Sequence, residues 1–264
     1  ADDRLTFSGA ITGGTTGYTL TTKGPGTIIF SGSTKNYLNN TVVQEGTLDI
    51  QSNFIGSGDV TVADGARLVV SGTLAGSGDL ALESGAILSG TGLVNRVFTV
   101  GDGVTIAPGN SPGTLHTADQ TWEGGGTYLW TINDVIGGEG AGWSSLEIDG
   151  TLAITADENT PFRLVLNSLN LANEPGLAEN FDIYGEYEWQ ILSADSIVGF
   201  DVNAFELDLG LFATLPDLGV FSLWEESNAL FLRYEGVPEP GTWALLVGGG
   251  IAAYLRQRRR KKVA

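Results

Sequence analysis

Gly56-Ser57-Gly58-Asp59 returns as Gly76-Ser77-Gly78-Asp79, and the same step of 20 carries Val60 onto Leu80, Val62 onto Leu82, Gly65-Ala66 onto Gly85-Ala86, Leu68 onto Leu88 and Gly72 onto Gly92. Slightly shorter steps place Gly46 before Gly65 and Gly103 after Gly85. A chain that repeats itself at this period is making one structural unit several times over. Within each unit apolar residues alternate, as in Val60-Thr61-Val62 and Leu80-Ala81-Leu82, and a turn such as Asp64-Gly65 or Ser84-Gly85 leads into a second apolar strand. Such short units bury nothing alone, so coils must stack, with strands pairing in parallel at a rise of about 4.8 Å. The expectation is a mainly β chain whose first part, residues 1–150, is a parallel β-helix (solenoid), right-handed if the usual crossover hand holds. An antiparallel sandwich is the competing architecture, but it does not require near-identical units.

Glycine supports the same reading, because tight turns need positive φ that other side chains resist. Of the 39 glycines, 29 lie before residue 151. Between residues 151 and 236 only 6 remain, while 12 aromatic residues appear, including Trp189, Phe200, Phe205, Phe212, Phe221, Trp224 and Tyr234. The alternating segments Phe221-Ser222-Leu223-Trp224 and Ala229 to Tyr234 read as antiparallel strands. A solenoid needs its last coil covered against edge-to-edge pairing, so residues 151–236 are expected to form a β-rich cap.

Residues 237–264 differ from both parts. Val237-Pro238-Glu239-Pro240 precedes an apolar run from Trp243 to Leu255, including Leu245, Leu246, Val247, Ile251 and Tyr254, and then the basic residues Arg256, Arg258, Arg259, Arg260, Lys261 and Lys262. Thirteen residues make a helix about 20 Å long, short of a hydrocarbon core of about 30 Å. Bilayer thinning and snorkelling of Arg256 narrow the gap, so the run is expected to be a short transmembrane helix. The basic cluster then stays cytoplasmic and residues 1–236 lie across the membrane. Residues 1–236 carry 30 acidic and 7 basic side chains, a net of −23, against +5 in the tail. That acidic balance argues against nucleic acid as a partner. The chain begins Ala1-Asp2-Asp3-Arg4; the expectation is that a signal peptide has been removed or omitted.

The Pro-Glu-Pro, apolar and basic order resembles the PEP-CTERM sorting signal of Gram-negative bacteria. That resemblance implies an exosortase, a membrane-embedded Cys protease, as partner, with Pro238, Glu239 and Pro240 as recognition residues. It also implies transient anchoring in the inner membrane, then release or display at the cell surface or in the matrix. Proline fixes φ and removes an amide donor, which keeps such a segment extended and accessible. The body resembles the autotransporter-associated β-strand repeat family through Gly26 to Gly32, Thr41-Val42-Val43 to Gly46-Thr47-Leu48, and Pro108-Gly109-Asn110-Ser111-Pro112-Gly113-Thr114-Leu115. That resemblance implies a β-helix passenger, here without a membrane β-barrel behind it.

Catalytic chemistry is hard to place. There is no Cys, and His116 is the sole histidine, so thiolate sites, His-based triads and multi-His metal centres are excluded. Stacked carboxylates, Asp59 with Asp79 or Asp64 with Glu83, are the candidates for glycoside chemistry, although a charged solvated face is the commoner meaning of such a column. Trp122, Trp130 and Trp143, near Gly-rich turns, are candidates for stacking on sugars, against the commoner use of Trp in a core. No cofactor is expected beyond loose surface calcium on the acidic body. The expected function is an exported, non-enzymatic structural or adhesive protein of the cell surface or extracellular matrix. Its alternative is a β-helix that binds or cleaves exopolysaccharide.

Overall fold

A computed structural model describes residues 3–14, 17–109, 112–213 and 219–237. Among them are 25 strands and one short 3-10 turn, Val202–Ala204. The strands line up in three faces. Face A stacks nine of them: Arg4–Phe7, Thr27–Phe30, Thr47–Ile50, Arg67–Val70, Ile87–Gly90, Thr105–Pro108, Thr127–Ile132, Phe162–Ser168 and Phe205–Leu211. Every pairing on this face is parallel. Face B begins Ile11–Gly13, Lys35–Tyr37, Asn53–Phe54, Thr73–Leu74, Leu93–Val94, Thr114–Thr117, and face C begins Thr19–Thr22, Asn40–Val43, Val60–Val62, Leu80–Leu82. The molecule is mainly β with parallel sheets, consistent with a β-helix.

The repeat read from the sequence is the stacking register. Val60 pairs with Leu80, Val62 with Leu82 and Leu68 with Leu88. Alternation then sends one set of side chains inward: Ile28, Leu48, Leu68, Leu88, Ile106, Tyr128, Leu164 and Leu207 form a single interior column on face A. Most of its members are wholly buried, and each aliphatic one contributes about 1.5–3 kcal/mol by leaving water.

One strand of face B pairs with two earlier ones. Ser145–Ile154 pairs with Thr114–Thr117 through residues 145–148 and with Gln120–Trp122 through residues 152–154. Its register breaks between Ile148 and Thr151. Gly150, at φ 145°, lies inside that break, a conformation that a side chain would resist.

Parallel stacking continues beyond residue 150, past the boundary expected for the cap. Phe162–Ser168 and Phe205–Leu211 extend face A, and Glu186–Val198 continues the Ser145–Ile154 strand in parallel. Among the described strands, antiparallel pairing is confined to Glu186–Ser193, Ala229–Glu235 and Val220–Glu226. The sequence misleads here because the coils become irregular. Thr27, Thr47, Arg67 and Ile87 succeed one another at 20 residues, but Thr127 pairs with Arg163 and Arg163 with Glu206. Inserted loops dissolve the period while the strands keep stacking, and aromatic residues fill these coils.

Trp122 and Trp130 belong to that filling. Trp122 is 1% exposed and lies flat on Phe162 at 4.3 Å, and Trp130 is fully buried, 5.6 Å from Trp189. Neither is a sugar platform, because the alternation turns both inward. Trp143 is partly buried, its indole N–H donating to the Gln190 carbonyl at 3.0 Å. No helix among the described residues is long and apolar enough to cross a membrane; the run from Trp243 to Leu255 lies outside them.

Candidate functional site

The segment with the strongest functional signature follows a firmly held strand in the chain. Ala229–Glu235 is central in the antiparallel part, with Glu186–Ser193 on one side and Val220–Glu226 on the other. Tyr234, near its end, is fully buried between Phe181 and Phe221, with ring centroids at 4.9 and 5.0 Å. Its hydroxyl donates to the Ile183 carbonyl at 2.8 Å and accepts from the Gly219 amide at 2.9 Å. Burial pushes its pKa up, so the hydroxyl stays protonated and keeps donating.

Two residues on, the Gly236 amide donates to the Gly185 carbonyl at 2.9 Å. A Cβ on Gly236 would stand 2.4 Å from the Ile183 oxygen, so only glycine fits. Val237, 41% exposed, is the last described residue. Pro238, Glu239 and Pro240, the apolar residues from Trp243 to Leu255 and the basic residues from Arg256 to Lys262 all lie outside the described residues. What the structure contributes is their starting point: a strand fixed on both edges, ending in a close backbone contact.

The carboxylate columns proposed for chemistry are occupied otherwise. Asp59 Oδ1 accepts from the Asp79 amide, and the Asp59 amide donates to Asn40 Oδ1, each at 3.0 Å. These side chains tie one coil corner to the next. A Cβ at Gly85 would stand 1.9 Å from Asp64 Oδ1, so Asp64 reaches toward that turn. His116, on face B, sits in register with Glu147, its Nδ1 3.1 Å from the carboxylate, both side chains about two-fifths exposed. Among the described residues no three of His, Cys, Asp and Glu converge as a cation cage.

Two buried cations were not foreseen. Lys35 is completely covered, and its Nζ donates to the carbonyls of Gly9, Ser31 and Ser33 at 2.7–2.8 Å. Burial lowers its pKa. Arg96 is 4% exposed and donates to the carbonyls of Gly56, Gly58, Ala75 and Asp79. Its pKa falls through burial, opposed by the nearby Asp59 and Asp79 carboxylates. A signal for Arg96 did exist. The pairings of Phe54, Leu74 and Val94 place it above Gly56 and Gly76, so it is a charge standing in a glycine column.

Compared with known families, residues 236–260 match the PEP-CTERM protein-sorting motif. The match begins at Gly236, whose amide-to-Gly185 bond is the last main-chain contact among the described residues. It supports exosortase-dependent sorting of an exported protein routed through the membrane to the cell surface. It does not extend into the repeat body. No curated protein matches the chain.

Proposed function

We propose that this protein is a non-enzymatic structural or adhesive component of the cell surface or extracellular matrix. It is anchored briefly in the inner membrane by residues 243–255, processed by an exosortase near Pro238-Glu239-Pro240, and then displayed or released. The body serves as a stiff acidic stack of the kind its resemblance to the autotransporter-associated repeat implies. The observation that carries this reading is the order along the chain. The sorting motif, residues 236–260, follows the last described strand, Ala229–Glu235, so cutting at Pro238-Glu239-Pro240 or beyond leaves every described strand intact.

The chemistry is consistent with an inert body. Asp59 is engaged by a backbone amide of the next coil, and the sole histidine faces a single carboxylate at the surface. The tail works by physical means. A short apolar run holds the chain at the bilayer, and six cationic residues keep its end cytoplasmic.

Mass spectrometry of the protein recovered from the host cell surface tests this. The wild-type form should lack residues 243–264, and a Pro238→Ala/Glu239→Ala/Pro240→Ala variant should stay full-length in the membrane fraction. Mature wild-type protein that retains residues 243–264 would refute processing.

A further inference from the structure

We propose that the outer surface of face A is a binding groove for a linear, sparsely charged acidic polysaccharide, with Arg4 and Arg67 as its carboxylate-binding residues. The proposal names a ligand for the exported body described above and rests on that reading for its biological setting.

The first observation is where the positive charge goes. Residues 1–236 hold 7 basic side chains, and Lys35 and Arg96 are interior. Of the five others, Arg4, Arg67 and Arg163 stand in one outward column of face A, in the order Arg4, Thr27, Thr47, Arg67, Ile87, Thr105, Thr127, Arg163. A body with a net charge of −23 thus gathers most of its exterior cations on one line. Arg163 is answered by Asp208 and Glu206. Arg4 and Arg67 are exposed and have no carboxylate within ion-pair distance among the described residues. Arg67 Nε donates to the Ser89 hydroxyl at 3.1 Å, which holds the side chain along the face.

The second observation is a groove of about 560 Å³ on the same face, reaching from Arg4 to Asn167. Thr27, Thr47 and Arg67 line it along one column, and Asp49, Val69, Ala107 and Leu129 along the next. A run of hydroxyls, one carboxylate and small apolar side chains suits a pyranose chain, which offers hydroxyl edges and C–H faces. Among the described residues Asp49 is the only carboxylate lining the groove, and glycoside cleavage uses a pair of them, so binding is the activity proposed for this surface.

Charge spacing selects the ligand. Arg4 and Arg67 are three coil steps apart, about 14 Å at a rise of about 4.8 Å. A nucleic acid strand carries a charge about every 3.4 Å, and most of its phosphates would face Asp49 and the acidic body unanswered. Among the described residues no aromatic side chain lines the groove to stack a base. A polymer with hydroxyls on every ring and carboxylates only at intervals meets both arginines, each able to form a bidentate pair.

Calorimetric titration of the full chain in detergent micelles tests the proposal, with three probes: a short oligosaccharide bearing a uronate at every third residue (the oligouronate), a neutral oligosaccharide of the same linkage and length, and a single-stranded DNA of similar length. The oligouronate should bind more tightly than the other two. The Arg4→Gln/Arg67→Gln variant should lose about tenfold or more in affinity, as expected for two charge-assisted contacts, while Arg233→Gln, on the antiparallel part, should not change it. Both groove substitutions are on exposed side chains, and an unchanged melting temperature verifies that the fold is kept. No oligouronate binding, equal binding by the neutral sugar, tighter binding of DNA, or undiminished affinity in the double variant would each overturn it. Because this titration needs no cell, its failure leaves the sorting reading standing, and a failure of sorting leaves this result untouched.

Discussion

Arg96 shows how a solenoid corner manages its carbonyls. At Gly56 and Gly76 a Cβ would fall 2.3 and 2.1 Å from main-chain oxygens of the preceding coil, so these positions are glycine. One coil later the same column holds Arg96, whose guanidinium reaches back to four carbonyls across two corners. In place of water, oriented carbonyl dipoles and the nearby Asp59 and Asp79 charges stabilise it. Arg96→Met keeps most of the volume but takes the buried donor from the Gly56, Gly58 and Ala75 oxygens, while the Asp79 oxygen keeps the Val60 amide. We expect a loss of about 3 kcal/mol, read as a lowered melting temperature. A change below about 0.5 kcal/mol, the range of neutral surface substitutions, would mean that water replaces the guanidinium.

At the level of elements, coil spacing depends on what the turns omit. Gly78 and Gly65 test two separate causes. A Cβ on Gly78 would lie 2.3 Å from the Gly58 oxygen and 2.4 Å from its carbon, and main chain cannot move aside. Gly65 has open space around its Cβ direction but a φ of +71°. Gly78→Ala should therefore cost about 2–3 kcal/mol through steric overlap, and Gly65→Ala about 1 kcal/mol through backbone strain. Paired thermal melts decide between them; equal losses would show that conformation, not close approach, governs both turns. The strand Ser145–Ile154 follows the same logic, with Gly150 inside the register break between its two pairing segments.

For the whole molecule, the tyrosines of the interior set the behaviour at alkaline pH. Tyr128 is fully buried and donates to the Ile191 carbonyl at 2.7 Å; burial, helped by Glu139, pushes its pKa well above the usual value. Burial also raises the pKa of Tyr37 and Tyr234. A pKa raised on folding gives stability that is fully present below the unfolded value of about 10 and is lost as pH climbs toward the folded one. Tyrosinate absorbance from these rings should thus appear together with loss of β circular dichroism above about pH 10. Full ionisation while the β signal persists would contradict the burial of all three. Because stacked coils contact mainly their neighbours, the unfolding is expected to spread along the stack.

The 20-residue repeat made the regular coils legible, down to Val60 against Leu80 and Leu68 against Leu88, because stacking identical units demands identical spacing. The antiparallel strands near Phe221 and Ala229 were legible from alternation alone, and the tail from the order of its three parts. Continuation of face A through Phe162–Ser168 and Phe205–Leu211 was not, since inserted loops erase the period without changing the pairing. Nor was the placement of Trp122, Trp130, Lys35 and Arg96 inside, or the gathering of Arg4, Arg67 and Arg163 on one line. Residues from Arg4 to Arg163 become neighbours in a column only once the length of every coil is known, and that length is decided by how the loops pack in three dimensions.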